Sequence, residues 1–209
     1  MRAKTIVVAP FNIALPLPTE LKSSTRLVSN AIVDHLEDQG KIVHQVEMDI
    51  GKTLWVEATR EVVSSGGPKN FETAVRVFAR KVQQQIKFDA IIIPALYIQN
   101  ANTNFEVAVW DSANQRVEYE GRSRQEIEMP PPMTIPAASL LVYVLDSEGD
   151  VIHSRRTGLE LIQHMEIHVE KKQGYDKRTW ALKDDDPPIE DEVRVRAAVA
   201  HALHPYLPK

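Results

Sequence analysis

The spacing of apolar residues changes period several times along the chain, and each change marks an element. Thr5-Ile-Val-Val-Ala9 is a β-rich run stopped by Pro10-Phe11, with Pro16 and Pro18 holding the following segment extended or turning. Leu27, Val28, Ala31, Ile32 and Leu36 then recur at spacings of three and four, which predicts a helix over 25–38. Ser23-Ser24-Thr25 offers capping hydroxyls at its start, and Gly40 closes it. Ile42, Val43, Val46 and Met48 fit a half-buried strand, and Leu54, Trp55, Ala58 and Val62 a helix over 50–63. After the turn Ser64-Ser65-Gly66-Gly67-Pro68, Asn70 caps a helix that carries Phe71, Ala74, Val75, Phe78, Ala79 and Val82 on one face. Phe88 to Leu96 is a continuous apolar run, the pattern of a central strand covered on both faces.

From there the rhythm becomes β. Phe105, Val107 and Val109 alternate with polar or small residues toward a turn at Ser112-Ala113-Asn114, and Val117 and Tyr119 resume, which predicts a hairpin. Pro130-Pro131-Pro132 and Pro136 mark an irregular connection. Ser139 to Leu145 is a strong strand, and the turn Asp146-Ser-Glu-Gly-Asp150 returns the chain through Val151-Ile-His153 as a second hairpin. Beyond the acidic loop Asp184-Asp-Asp-Pro-Pro188, an amphipathic helix is expected over 190–203 on Val193, Ala197, Ala200 and Leu203, ended by Pro205 and Pro208. No linker or repeat divides residues 1–209, so the reading is one α/β domain with a mixed central sheet flanked by helices.

Composition narrows the function. With 209 residues, 43% hydrophobic and 26% charged, the chain has ordinary globular proportions and length for its own core. A net charge of -4 speaks against a general nucleic-acid binder, which needs a basic face for phosphates. The absence of cysteine removes disulfides, thiolate catalysis and cysteine-based zinc sites. Arg2 and Lys4 before an apolar stretch have the look of a signal peptide, yet Asn12 and the prolines at 10, 16 and 18 would break its helical centre. A first strand is expected instead, with any export signal or lipid-bearing cysteine removed from the sequence.

Candidate chemistry is sparse. His164, Glu166 and His168 share one face of a strand, and on a helix the two histidines would also meet, so these three are the candidate metal ligands. They lack the His-Glu-x-x-His order of zinc hydrolases, and alternating polar residues are equally what a strand with one wet face displays. Asp184, Asp185, Asp186, Glu190, Asp191 and Glu192 could bind a hard cation, but without calcium-loop spacing they read as a charged loop before a helix N-terminus. Gly66-Gly67-Pro68-Lys69 contains no phosphate-binding fingerprint. Ser139 and Ser154, the latter beside His153, have no nucleophile-elbow sequence. Arg122, Arg124, Arg155, Arg156 and Arg178 with Tyr119, Tyr175 and Trp180 are the residue types that anchor protein interfaces, and equally those of an ordinary surface or half-buried positions. No catalytic residue and no cofactor are assigned.

Three segments together carry a resemblance. Val7-Val-Ala-Pro-Phe11 resembles the opening strand and proline-phenylalanine exit of a group of bacterial envelope proteins: the amino-terminal domain of the Tol translocation protein, the curli secretion lipoprotein and the lipoprotein activators of penicillin-binding proteins. The helix–strand passage Phe71 to Leu96, and Leu140 to Ile152 as strand, acidic-glycine turn and return strand, are similar to theirs in layout. The resemblance implies a non-catalytic α/β domain, exported to the periplasm, often lipid-tethered to the outer membrane, working by binding. It carries over no functional residue, and the segments 122–136 and 170–188 have no counterpart in it.

The expectation is therefore an accessory or scaffold protein that binds an envelope component of wall synthesis, secretion or polysaccharide export, through a sheet edge or the proline-rich insert, with self-association also open. Two alternatives are a small metal-dependent enzyme using His164, Glu166 and His168, and a cytosolic self-associating regulatory domain, the latter if Met1 is the true start.

Overall fold

The computed structural model describes residues 3–66, 68–104, 106–120, 133–172 and 175–206. In chain order it contains β1 (Thr5–Val8), α1 (Thr25–Asp38), β2 (Ile42–Gln45), α2 (Met48–Ser64), α3 (Phe71–Gln85), β3 (Ala90–Thr103), β4 (Val107–Trp110), β5 (Ala113–Arg116) and β6 (Tyr119–Glu120). The remainder is β7 (Thr134–Asp146), β8 (Val151–Leu161), β9 (Gln163–Lys172), β10 (Tyr175–Asp184) and α4 (Glu192–Leu203). Seven strands form a mixed central sheet flanked by helices, an α/β domain. β1 lies parallel between β2 and β3, while β7 runs antiparallel along β3 from Ala90 to Asn102 and carries β8 beyond it.

Both faces of this sheet are covered, which is why β3 reads as an unbroken apolar run. On one face, Val28, Ile32 and Leu36 of α1 and Val195, Val199 and Leu203 of α4 pack on Ile6, Ile92, Leu140 and Val144. On the other, Leu54, Ala58 and Val62 of α2 and Val75, Phe78 and Val82 of α3 pack on Val7, Ile91, Ile93 and Leu145. Further along, β4 and β5 continue from the distal end of β3, and Trp110, Val117, Ile135, Leu161 and Met165 make a third cluster under a second sheet ordered β10-β9-β6. No helix among the described residues is long and apolar enough to cross a membrane.

Two prolines lie inside strands without orphaning a donor. Pro94 O accepts from Asn12 N at 3.0 Å, so its missing N–H points to the edge where β1 has already ended. Pro136, read from sequence as part of an irregular connection, belongs to β7. Its carbonyl accepts from Ile162 N, and its missing donor therefore falls where β8 ends. The rest of the triple-proline segment lies outside the described residues, as does Phe105.

Other expectations shift in detail. The first β-hairpin turns at Asp111-Ser112, whose φ angles of 36° and 61° make the tight turn that right-twisted strands favour, one residue earlier than the Ser112-Ala113-Asn114 reading. Ser24 occupies the cap position of α1 in a helical conformation and makes no capping bond, so its buried hydroxyl stays without a partner. β2 is an edge strand with Ile42 47% exposed, not the half-buried strand its alternation suggests, and Met48 opens α2. On α4 the buried face is Val195, Ala198, Val199, Ala202 and Leu203, while Val193 is 77% exposed. Alanines on both sides of that helix hide its phase in sequence.

Candidate functional site

In a sheet ordered β2-β1-β3, with α1 on one face and α2–α3 on the other, a ligand crevice is expected where the crossovers diverge at the strand ends. Here the chain itself fills that place. Asn12, with φ of 55°, accepts from Leu96 N at 2.9 Å through Oδ1 and donates to Leu96 O at 2.9 Å through Nδ2, standing in for the next residue of β1. Behind it α2 presses close, since a Cβ on Gly51 would come within 2.5 Å of Pro10 Cγ. The switch point is thus a plug of protein.

A polar cleft of about 180 Å³ lies elsewhere, between the end of β5, the β8–β9 junction and the loop entering α4. Glu118, Glu160, Asp185, Asp186 and Glu190 line it, against Arg116 and His164. Three of these side chains, Glu160, His164 and Asp185, already hold the structure together. Glu160 Oε2 accepts from Glu190 N at 3.0 Å and Asp191 N at 3.2 Å, tying β8 to the start of α4. Burial pushes its carboxyl above the ordinary carboxylate range against the pull of those two bonds. His164 Nδ1 donates to Asp185 Oδ1 at 2.6 Å, and Gln163 Nε2 to Asp184 Oδ1 at 2.5 Å, so the acidic loop is pinned to β9. Asp191 caps α4 by accepting from Val193 N and Arg194 N, and Glu192 sits in its first turn. These acids serve a helix N-terminus and a loop anchor.

The three metal-ligand candidates occupy alternate positions of β9 and share its outward face. They do not converge on a point. His164 turns to Asp185, while His168 Nε2 lies 3.5 Å from Glu166 Oε2. Among the described residues no group of three His, Asp or Glu side chains is arranged to hold a metal ion.

The arginine–aromatic set is also divided. Arg155 Nη1 donates to His204 O at 2.7 Å on the α4 face, and Arg156 lies on the opposite face, 6.0 Å over the Tyr97 ring, as neighbours on a strand must. Tyr119 packs edge-on against Trp180 at 6.0 Å. Arg122 and Arg124, and the side chains of Tyr175 and Arg178, lie outside the described residues. Gly66, with φ of 71°, belongs to the α2–α3 turn, and Gly67 lies outside the description. Ser139 is fully buried and accepts from Gln99 Nε2 at 3.3 Å, and Ser154 and His153 face opposite sides of β8. No nucleophile–base pair forms there.

Two polar clusters escaped sequence reading. Tyr97 hydroxyl bonds to Asp111 beneath Arg156, and burial first, then Asp111, raises its pKa. At the end of α4, His153 Nε2 donates to Ala202 O at 2.7 Å, and His153 stacks on Tyr206. His201 Nε2 is buried there without a hydrogen bond. These groups come from distant segments, so no local spacing announces them. Glu160 did carry a signal, as the single acid within the apolar run Leu159 to Ile162.

Among the described residues, the second sheet also leaves long stretches of backbone without a strand partner. β9 and β10 pair over ten residues each, from Gln163↔Asp184 to Lys172↔Tyr175, with no register break. β6 borders β9 only at Met165 and Glu166. From Ile167 onward, therefore, β9 has β10 on one side and no strand on the other, and β10 has no outer strand along its length, among the described residues. No protein-family model and no curated protein matches this chain.

Proposed function

We propose that this chain is a non-catalytic accessory domain of the cell envelope that works by binding protein, and that it does so by accepting a strand along the β9–β10 ribbon. One observation carries the binding mode: among the described residues, the ten-residue β9–β10 ladder extends past the two residues of β6, and its further backbone donors and acceptors have no outer strand. Two-stranded ribbons are marginal by themselves in water, so an added strand is the stabilising arrangement. The filled switch point, and the structural bonds already made by Glu160, His164 and Asp185 in the cleft, support binding over catalysis. The envelope setting, in the periplasm and near wall synthesis, secretion or polysaccharide export, rests on the layout resemblance alone.

A photo-crosslinking residue at the exposed Thr179 of β10, in the native-length protein in its own cells, tests this reading. The expected result is a discrete cross-linked protein recovered with the envelope fraction, and no adduct from the same probe at the exposed Glu57 of α2. Native protein found free in the cytosol would overturn the envelope assignment, and equal labelling from both positions would overturn the ribbon.

A further inference from the structure

We propose that the strand received by β10 is β10 of a second copy, paired antiparallel about a two-fold axis at Thr179. This rests on the strand-addition reading above and names its partner. β10 is ten residues long where strands average about five or six, contains no proline or glycine, and keeps an unbroken register with β9. Sheet edges of this kind are normally blunted by proline, bulges or very short length. The remaining device is charge, and charge here selects a register.

A two-fold axis perpendicular to a sheet places one residue opposite its own copy, and like charges directly opposite destabilise the pair. β10 carries Lys177, Arg178 and Lys183 with Asp176 and Asp184. Centring the axis on Arg178 sets that residue against itself. Centring it on Trp180 sets Lys177 against Lys183 and Asp176 against Asp184. An axis at Ala181 avoids such clashes but pairs only residues 178–184. With the axis at Thr179, residues 175–183 pair throughout and no like charges stand opposite: Tyr175 meets Lys183, Asp176 Leu182, Lys177 Ala181 and Arg178 Trp180. The longest clash-free register thus has Thr179 at its centre, and Thr179 is exposed. The product is a continuous six-stranded sheet running β6-β9-β10 and back through its copy.

The absence of cysteine makes a register-specific test direct. Opposed residues of an antiparallel pair have Cβ atoms about 4.5–5.5 Å apart, close to disulfide range. Thr179→Cys in the full chain is expected to give a disulfide-linked dimer under mild oxidation. Ala181→Cys, about 14 Å from its own copy along the strands, is expected to remain monomeric on a denaturing gel. Sedimentation equilibrium of the unmodified chain should show a concentration-dependent dimer. Thr179→Lys should weaken it about fivefold while leaving the far-ultraviolet circular dichroism unchanged. Cross-linking at Ala181 in preference to Thr179 would overturn the register. A monomer across the micromolar to sub-millimolar range with no Thr179 disulfide would overturn self-pairing; a different protein cross-linked at Thr179 in cells would then keep the strand-addition reading, and its absence would remove both.

Discussion

Asn12 shows how much one side chain can decide. Its amide satisfies both the N–H and the C=O of Leu96 at a point where β1 has ended and β3 continues. Removing it leaves two partly buried backbone groups unpaired, at about 1–3 kcal/mol for such a loss. Asn12→Ala is expected to lower unfolding free energy by about 2 kcal/mol in urea titration. Asn12→Asp keeps the acceptor for Leu96 N but turns a carboxylate oxygen toward Leu96 O, so it should be at least as costly. A wild-type midpoint in either variant would show that the crevice tolerates water in place of the plug. In sequence this residue signals only a helix breaker among prolines, because its partner is 84 positions away.

At the scale of elements, the helices were legible because their apolar residues recur at the helical period. α1 begins and ends where the spacing places it, and α3 is capped as Asn70 announces, with Thr73 N donating to Oδ1 at 2.9 Å. α4 is legible in extent but not in orientation, and its start depends on two acids, Asp191 from its own cap and Glu160 from β8. Asp191→Ala should therefore cost about 1 kcal/mol, measured by thermal or urea unfolding. Asp191→Ser, which keeps an acceptor, should recover most of that loss; no recovery would mean that the carboxylate charge, not the cap bond, is what counts. β7 runs on through Pro136, which the sequence places in an irregular connection, and the β9–β10 ribbon is legible only in part: polar residues alternate over 164–168, but 175–184 mixes charged and apolar residues without a clear period.

For the whole molecule, two half-hidden ionisable groups give stability a defined pH dependence. Burial, with Arg155 and His204 nearby, holds His201 below the ordinary histidine value, so the unfolded chain binds this proton more readily than the folded one. Its contribution is complete above the unfolded value of about 6.5 and is lost as pH falls through the lower folded value. Glu160 has the opposite sign: its folded pKa is raised, so its contribution is present below the unfolded value and lost as pH rises through the folded one. The His201 contribution should make stability drop as pH falls from neutrality through the histidine range in urea titrations, with Glu160 acting against it at lower pH, and His201→Leu should flatten that drop. An unchanged slope in the variant would assign the drop to other groups.

What the sequence determined by itself is the part governed by local period and short-range chemistry: the α/β class, the central apolar strand, the helix limits, and the lack of cysteine chemistry. Which side of a helix is buried, whether a proline interrupts a strand, and which polar groups meet were decided by the tertiary structure. Val193 stays in water because Val195 and Val199 reach the sheet, Pro136 is harmless because β8 stops beside it, and His164 turns to Asp185 across 21 positions. Each of these depends on a neighbour far along the chain, and periodicity within a strand or helix holds no information about that neighbour.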